Sequence, residues 1–514
     1  MPHADRSLWL ERAAGRRYAP LAEDLEVDVA IVGGGIVGTT LALLLSQHGK
    51  RVTLLEARGI GTGATGNSTA KAVVHQGFNF ARLIDSLGLE DATRVVNGDR
   101  AALDVLLHWS RELGVEDAAR PVWGWSWATN EDGQATLEGE RAAAVQLGIE
   151  ARWATEEDAT LGIAALGVPD QLLVEPNVLL DAFAARAAEQ GVLIHEGTRV
   201  TDVSLDDDEP IALTTDTGAV VRAGVVVLAT QVPIVDRTLA FAGCTYRRSH
   251  VVALHVDDGT FATDDMHTGI DSGGLSLRPG TALDGSPLLV VAGHGHDLKS
   301  DEDGTHIDQL VTAARELTGA GELHSSWLAH DAFPNDGNSY IGPTGIDDRL
   351  YIATGFGGWG LARGVAAATT ITARLVRGHE EFHDAFDAKR LGGLVTTDAL
   401  KEGVKTVKAL VGDRIFTDDP DSVTQLAPGH GTVVRFGTSS VAVARDTAGE
   451  LHAVEAACTH LGCLVRHDAE RGSWQCPCHG SRFDLQGQVL AGPATKPLEP
   501  VELPQELRTP APGS

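Results

Sequence analysis

VDVAIVGGGIVGTTLALLLSQHGKRVTLLEAR, residues 27–58, decides how the first half of the chain folds. Its opening run, Val27 to Val32, is short and rich in β-branched residues, the pattern of a buried parallel strand. Gly33-x-Gly35-x-x-Gly38 follows, then a helical run over 39–49, then a second strand from Arg51 to Leu55 that closes on Glu56. The three glycines serve different steric needs. Gly33 makes the tight turn, Gly35 lets backbone approach a pyrophosphate, and Gly38 lets helix pack on sheet. Free amides and the dipole at the helix N-terminus favour phosphate. Glu56 stands where a carboxylate accepts hydrogen bonds from an adenosine ribose. Strand, glycines, helix, strand and acid in this order predict a Rossmann-like nucleotide-binding unit.

The glycine triplet does not separate NAD from FAD, and three later segments favour FAD. GTGATGNSTAKAVVHQG (61–77) is rich in the small and hydroxyl residues that a flavin-lining turn requires. GVLIHEGTRVTDV (191–203) and VRAGVVVLAT (221–230) return the chain to the nucleotide sheet. RLYIATGFGGWGLARGVAAATTITARLV (349–376) reads as strand, glycine-dense turn and helix, with amides available to a flavin's pyrimidine edge. No second Gly-x-Gly-x-x-Gly follows a strand, so a dedicated NAD(P)H domain is not expected.

These pieces, in this order, resemble the glycine oxidase and D-amino-acid oxidase superfamily of FAD-dependent oxidoreductases, the DAO fold, over residues 26 to 378. The resemblance implies an α/β Rossmann-like FAD-binding domain, in pieces at about 26–77, 176–234 and 331–378. An antiparallel-sheet substrate domain would take about 78–175 and 235–330. By position, Gly33, Gly35, Ile36, Val37, Gly38, Glu56, Ala57 and Arg58 would hold the ADP half. Val200 would meet the adenine through its backbone, Thr230 ends the returning strand, and Ser68 and Thr69 lie in the flavin-lining turn. Gly355, Gly357, Gly358, Trp359 and Gly360 would bracket the isoalloxazine. Some relatives have a histidine soon after the Ser-Thr pair; this chain has Lys71, so covalent flavin attachment is not expected.

A second motif stands near the C-terminus. Four of the five cysteines crowd between positions 458 and 478, in CTHLGC (458–463) and CPCHGS (476–481), which excludes a framework of scattered disulfides. Cys458-x-His460 and Cys476-x-x-His479 offer two thiolates and two imidazoles, a set that tetrahedral zinc also accepts. An extra cysteine after each pair, with Pro477 and the glycines shaping two tight loops, argues for something larger than one ion.

The pattern resembles the Rieske iron-sulfur domain across residues 425 to 505, which implies an all-β unit at 425–514. By that resemblance Cys458 and Cys476 bind one iron of a 2Fe-2S cluster, and His460 and His479 the other. Imidazoles in place of two thiolates raise the potential into a window of roughly −150 to +300 mV. Cys463 and Cys478 match positions that form a loop-to-loop disulfide in the cytochrome bc-type branch. Ser481 matches a serine that hydrogen-bonds a cluster sulfide, whereas Phe483 stands where the high-potential branch has a tyrosine donor. An intermediate potential is expected.

The chain has 514 residues, and at ~150 residues per domain that suggests two to four domains. Lys plus Arg is 41 against 71 Asp plus Glu, a net charge of −30 that repels nucleic acid and anionic lipid. Residues 1–25 read as an extension without a signal peptide, and the glycines break the longest apolar stretch, so no membrane span and a cytoplasmic location are expected. A polar connector, 379–424, is not a Gly/Ser linker, so the C-terminal unit is expected to dock on the flavin domain.

Weaker signals remain. Trp123, Trp125 and Trp127 alternate onto one strand face, where packing is favoured over a substrate roof. Lys71, His75 and His250 are candidates for a group near flavin N5. Arg278 is a candidate carboxylate clamp, with a surface strand arginine the blander reading. His324, His330 and Asp331 do not fit an iron triad of Rieske oxygenases. The resemblances imply an oxidoreductase that takes a hydride from a C–N bond of a small amine or amino acid and relays electrons through the cluster. The acceptor would be a redox protein, quinone or oxygen. The alternative is an electron-transfer protein reduced by a redox partner and acting on a specialised or natural-product substrate.

Overall fold

The strand Leu25–Val32 pairs in parallel on both sides, with Val52–Glu56 and with Val220–Leu228. A strand flanked in this way and covered on both faces must be apolar throughout, and from Val29 to Val32 every residue is buried. In the computed structural model these strands belong to a sheet ordered Tyr340–Pro343, Leu350–Thr354, Val220–Leu228, Leu25–Val32, Val52–Glu56, Leu193–Glu196. Helices Ile36–Ser46 and Gly360–Arg377 pack together in its main core, where Gly364 leaves the room that Ile36 and Val37 fill. The structure describes residues 6–378, 386–390 and 419–508, except 14, 16, 159, 207–208, 236–239, 258, 272, 299–304, 438 and 470.

A second, mostly antiparallel sheet follows the order Leu323–Pro334, Cys244–His255, Pro287–Asp297, Ser276–Thr281, Met266–Gly269, Ala119–Ala128, Ala164–Val174, Lys71–Ala72. Met266–Gly269 runs parallel to Ala119–Ala128. Trp123, Trp125 and Trp127 join a core with Leu310 and Val311 of helix His306–Thr318, and the Arg152 guanidinium lies 4.2 Å over the Trp123 ring. The tryptophan row is therefore a packed face and not a substrate roof.

The C-terminal unit has two small antiparallel sheets. One is His430–Phe436, Ser439–Arg445, Leu451–Glu455; the other is Arg466–Asp468, Ser473–Gln475, Arg482–Phe483, Val489–Ala491. It docks on the rest of the chain: Arg199 donates to Val489 O at 3.2 Å, and Thr495 Oγ1 to Thr201 O at 3.3 Å. The buried Arg248 donates to Gln475 and lies 3.8 Å from Asp468. The connector expected at 379–424 falls mostly outside the described residues; near its start, Phe386 lies under the Arg363 guanidinium. Among the described residues no helix is long and apolar enough to cross a membrane.

Candidate functional site

The glycine cradle is forced by contacts. A Cβ on Gly38 would lie 1.9 Å from Gly33 O, one on Gly33 (φ +111°) 2.5 Å from Ala229 O, and one on Gly35 3.2 Å from Thr65 Oγ1. The Glu56 carboxylate closes the far side, accepting from Gly34 N at 2.7 Å and Arg58 N at 2.8 Å. Ile36 N, at the helix start, donates to Thr65 Oγ1 at 3.1 Å. Thr230 lies two residues past the end of strand Val220–Leu228, with Oγ1 donating to Val232 O at 2.7 Å, and Val200 is buried opposite Thr215. A strand, turn and helix packed so closely that only glycine is admitted, with a carboxylate at the end of the next strand, fit the ADP half of FAD.

The 61–77 segment is clamped from outside. Ser7 Oγ donates to Gly66 O, Trp327 Nε1 to Asn67 O at 3.1 Å and Trp9 Nε1 to Ser68 O at 2.9 Å. Helix Leu8–Glu11 thus brings the N-terminal extension into the site: Leu8 and Trp9 are buried against the second sheet, with Trp9 edge-on to Trp327. Opposite lies the turn Gly355–Gly360, where Gly355, Gly357 and Gly358 take left-handed φ. The two segments meet where a Cβ on Gly77 would lie 2.9 Å from Trp359. A buried network fixes them: Gln76 Nε2 donates to Asp99 at 2.8 Å, and Arg363 grips the same carboxylate through two bonds of 2.8 and 2.7 Å.

Lys71 begins the short strand after this turn and is 5% exposed. Its Nζ donates to Thr268 Oγ1 at 3.1 Å, His267 O at 3.3 Å and Ser276 Oγ; among the described residues no carboxylate pairs with it. Burial, and then the Arg278 charge, lower its pKa to about 7. His75 is buried in the same interior, where burial and then the Lys71 charge push it down to about 4. His267, 0% exposed and held at about 3 by the same two causes, completes the group. The sequence carries no signal for His267, because parallel pairing of a four-residue strand, and not spacing, brings it there.

His250 stands apart from this group. It stacks on His306 at 5.0 Å, on the sheet face covered by helix His306–Thr318. Arg278 is neither clamp nor surface residue: it is buried, donates to Ala70 O at 2.6 Å and Val174 O at 3.0 Å, and lies over Trp9. His324, His330 and Asp331 do not converge. His324 faces Glu11 at 3.4 Å, His330 faces Gly480, and Asp331 lies beside Gly358.

At the C-terminal loops, Cys458 and Cys476 are buried and hydrogen-bonded to each other. That bond is the first cause lowering the Cys458 thiol and raising that of Cys476. The His460 and His479 rings lie 4.9 Å apart, edge to face, and the Nδ1 atom of each is buried without a hydrogen bond while the rings make other contacts. Two buried thiols and two imidazoles brought together by the two loops fit a cluster bound through two cysteines and two histidines. Cys463 and Cys478 form a disulfide between the loops. Ser481 is buried, accepts from Ala494 N at 3.0 Å and bonds Cys458; Phe483 is fully buried and supplies no donor.

The family model of FAD dependent oxidoreductases (DAO) matches residues 28–374, and that of the Rieske [2Fe-2S] domain matches 420–504. Over 508 residues the chain is 28% identical to the Rieske 2Fe-2S iron-sulfur protein YhfW of Bacillus subtilis (strain 168), covering 97% of this chain and 98% of that one. The C-terminal part is 32% identical over 111 residues to cytochrome b6-f complex iron-sulfur subunit 2 of Synechocystis sp., 20% of this chain and 52% of that one. Among solved structures, L-proline dehydrogenase from P. horikoshii superposes with a TM-score of 0.61 at 20% identity, covering 72% of this chain and 99% of that one. Glycine oxidase from Geobacillus kaustophilus gives 0.61 at 19%, covering 71% and 99%. At these identities the structural likeness is one of fold.

Proposed function

The chain belongs to the FAD-dependent oxidoreductase (DAO) family and ends in a Rieske domain, and from that premise we propose that it oxidises a C–N bond of a small amine or amino acid and relays the electrons through its 2Fe-2S cluster to an external acceptor. Bound FAD supplies two-electron oxidation, and the cluster supplies one-electron exchange. One observation carries the reading. Strand Leu323–Pro334 touches both sites: Ala332 O accepts from Gly357 N at 3.0 Å in the glycine turn, while His330 lies against Gly480 of the cluster loop. Only glycine fits at 480, since a Cβ would lie 2.5 Å from His330 Cε1. The amine class is supported by structures of like fold named for amino-acid oxidation, among them the L-amino acid deaminase from Proteus vulgaris. Anaerobic mixing with a panel of amines and amino acids tests it: at least one should bleach the flavin. Bleaching by a reduced ferredoxin and by no amine would reverse the reading.

Lys71 and His75 are the side chains we assign to the substrate side. A neutral lysine with no carboxylate partner can serve as the general base that accepts the proton an incoming ammonium gives up as it becomes the reacting amine. Such a lysine costs stability. Its folded pKa is about 7 against an ordinary 10.5, so between these values the unfolded chain holds a proton that the folded chain lacks. Stability should therefore rise with pH across that window, with the full cost present below it. Lys71→Met should raise Tm at pH 7, flatten that rise, and remove a step near pH 7 in the rate of flavin reduction. Thermal melts and stopped-flow rates between pH 6 and 10 read both. A variant that melts and titrates like the parent removes Lys71 from the site.

A further inference from the structure

Cys244 and Tyr246 lie on one face of strand Cys244–His255, because side chains alternate along a strand. Each reaches a different redox site. A Cβ on Gly355, at the start of the glycine turn, would lie 3.5 Å from Cys244 Sγ. The Tyr246 ring meets the His479 imidazole edge to face, with centroids 5.4 Å apart and planes at 86°, and lies 6.1 Å from His330. In register, Tyr246 stands opposite Ala332, whose carbonyl holds Gly357.

The tyrosine is 5% exposed, and its hydroxyl is buried without a hydrogen bond among the described residues. A buried hydroxyl left so is costly and calls for an account. Inside the Rieske unit, Phe483 is fully buried and brings no donor. Donors close to cluster ligands and sulfides raise the potential, because they stabilise the extra negative charge of the reduced form.

We infer that Tyr246 is a positioning residue for the cluster, supplied by the flavoprotein part of the chain. Its ring edge fixes the His479 imidazole, and its hydroxyl, which meets no acceptor among the described residues, is the donor left for the bound cluster. The inference rests on the assignment of the C-terminal loops to an electron carrier, and it does not depend on the substrate.

EPR-monitored redox titration of the full-length holoenzyme tests it. Tyr246→Phe keeps the ring and removes the donor; one-electron reduction of the cluster should become about tenfold less favourable, a fall of about 59 mV. Iron content and flavin absorption should stay as in the parent. Tyr246→Leu should show the same fall, and also altered hyperfine couplings from the histidine nitrogens, since the edge contact on the His479 ring is then lost. A parental potential in Tyr246→Phe overturns the donor, and parental couplings in Tyr246→Leu overturn the positioning. If no amine bleached the flavin while the potential still fell, the substrate reading would fail and Tyr246 would keep its role.

Discussion

Cys476→Ala should abolish the iron-sulfur centre outright while FAD stays bound. Cys476 is buried beside Cys458 and His479, and the remaining three donors leave one iron a ligand short. Cys463 and Cys478 cannot step in, since their sulfurs are tied to each other. The FAD residues lie within the separate match at 28–374, so flavin absorption should survive. The C-terminal fold should weaken as well. Its second sheet has strands of only two or three residues, too short to hold themselves, so cluster binding is part of the folding free energy there. Iron and acid-labile sulfide should fall to background, the EPR signal of the reduced protein should vanish, and limited proteolysis should enter after residue 418. Full iron content would remove Cys476 from the ligand set.

Gly38→Ala should release FAD. The added Cβ would meet Gly33 O at 1.9 Å, and the obstacle is backbone, which cannot swing aside as a side-chain tip does. Helix Ile36–Ser46 must then back away from strand Leu25–Val32, and its first amides leave the place where the phosphates bind. Overpacking of this kind costs about 1–3 kcal/mol, roughly 5- to 150-fold in affinity if it falls on binding. Gly139→Ala, on the exposed side of helix Glu131–Gln146, is the matched control: nothing among the described residues lies within 4 Å of its Cβ, and FAD affinity should not change. Titration of the apoprotein with FAD reads both variants.

Both of these sites were legible in the sequence because each is written locally. Gly33, Gly35 and Gly38 with Glu56, and the paired Cys-x-His and Cys-x-x-His, are spacings within single loops whose chemistry admits few alternatives. What spacing cannot show is which distant strands meet. His267 joins Lys71 only because Met266–Gly269 pairs with Ala119–Ala128. Tyr246 reaches His479 only because the C-terminal unit docks, through Arg248, on the second sheet. Arg278 passed for a clamp or surface residue because its carbonyl partners, Ala70 and Val174, come from elsewhere in the chain. The N-terminal extension carried no motif, yet Ser7 and Trp9 hold successive parts of the 61–77 turn. Periodicity put the three indoles on one face, and the helix that covers this face makes it the favoured packing surface.

The most direct measurement of the central claim is anaerobic stopped-flow of the holoenzyme with the amine that bleaches the flavin best, following flavin absorption and the cluster signal together. The account predicts that the flavin bleaches first, that the cluster is then reduced in the same molecules without added mediator, and that Cys476→Ala bleaches equally fast but reduces no external one-electron acceptor. A flavin that bleaches while the cluster stays oxidised until oxygen or mediator is added would contradict it.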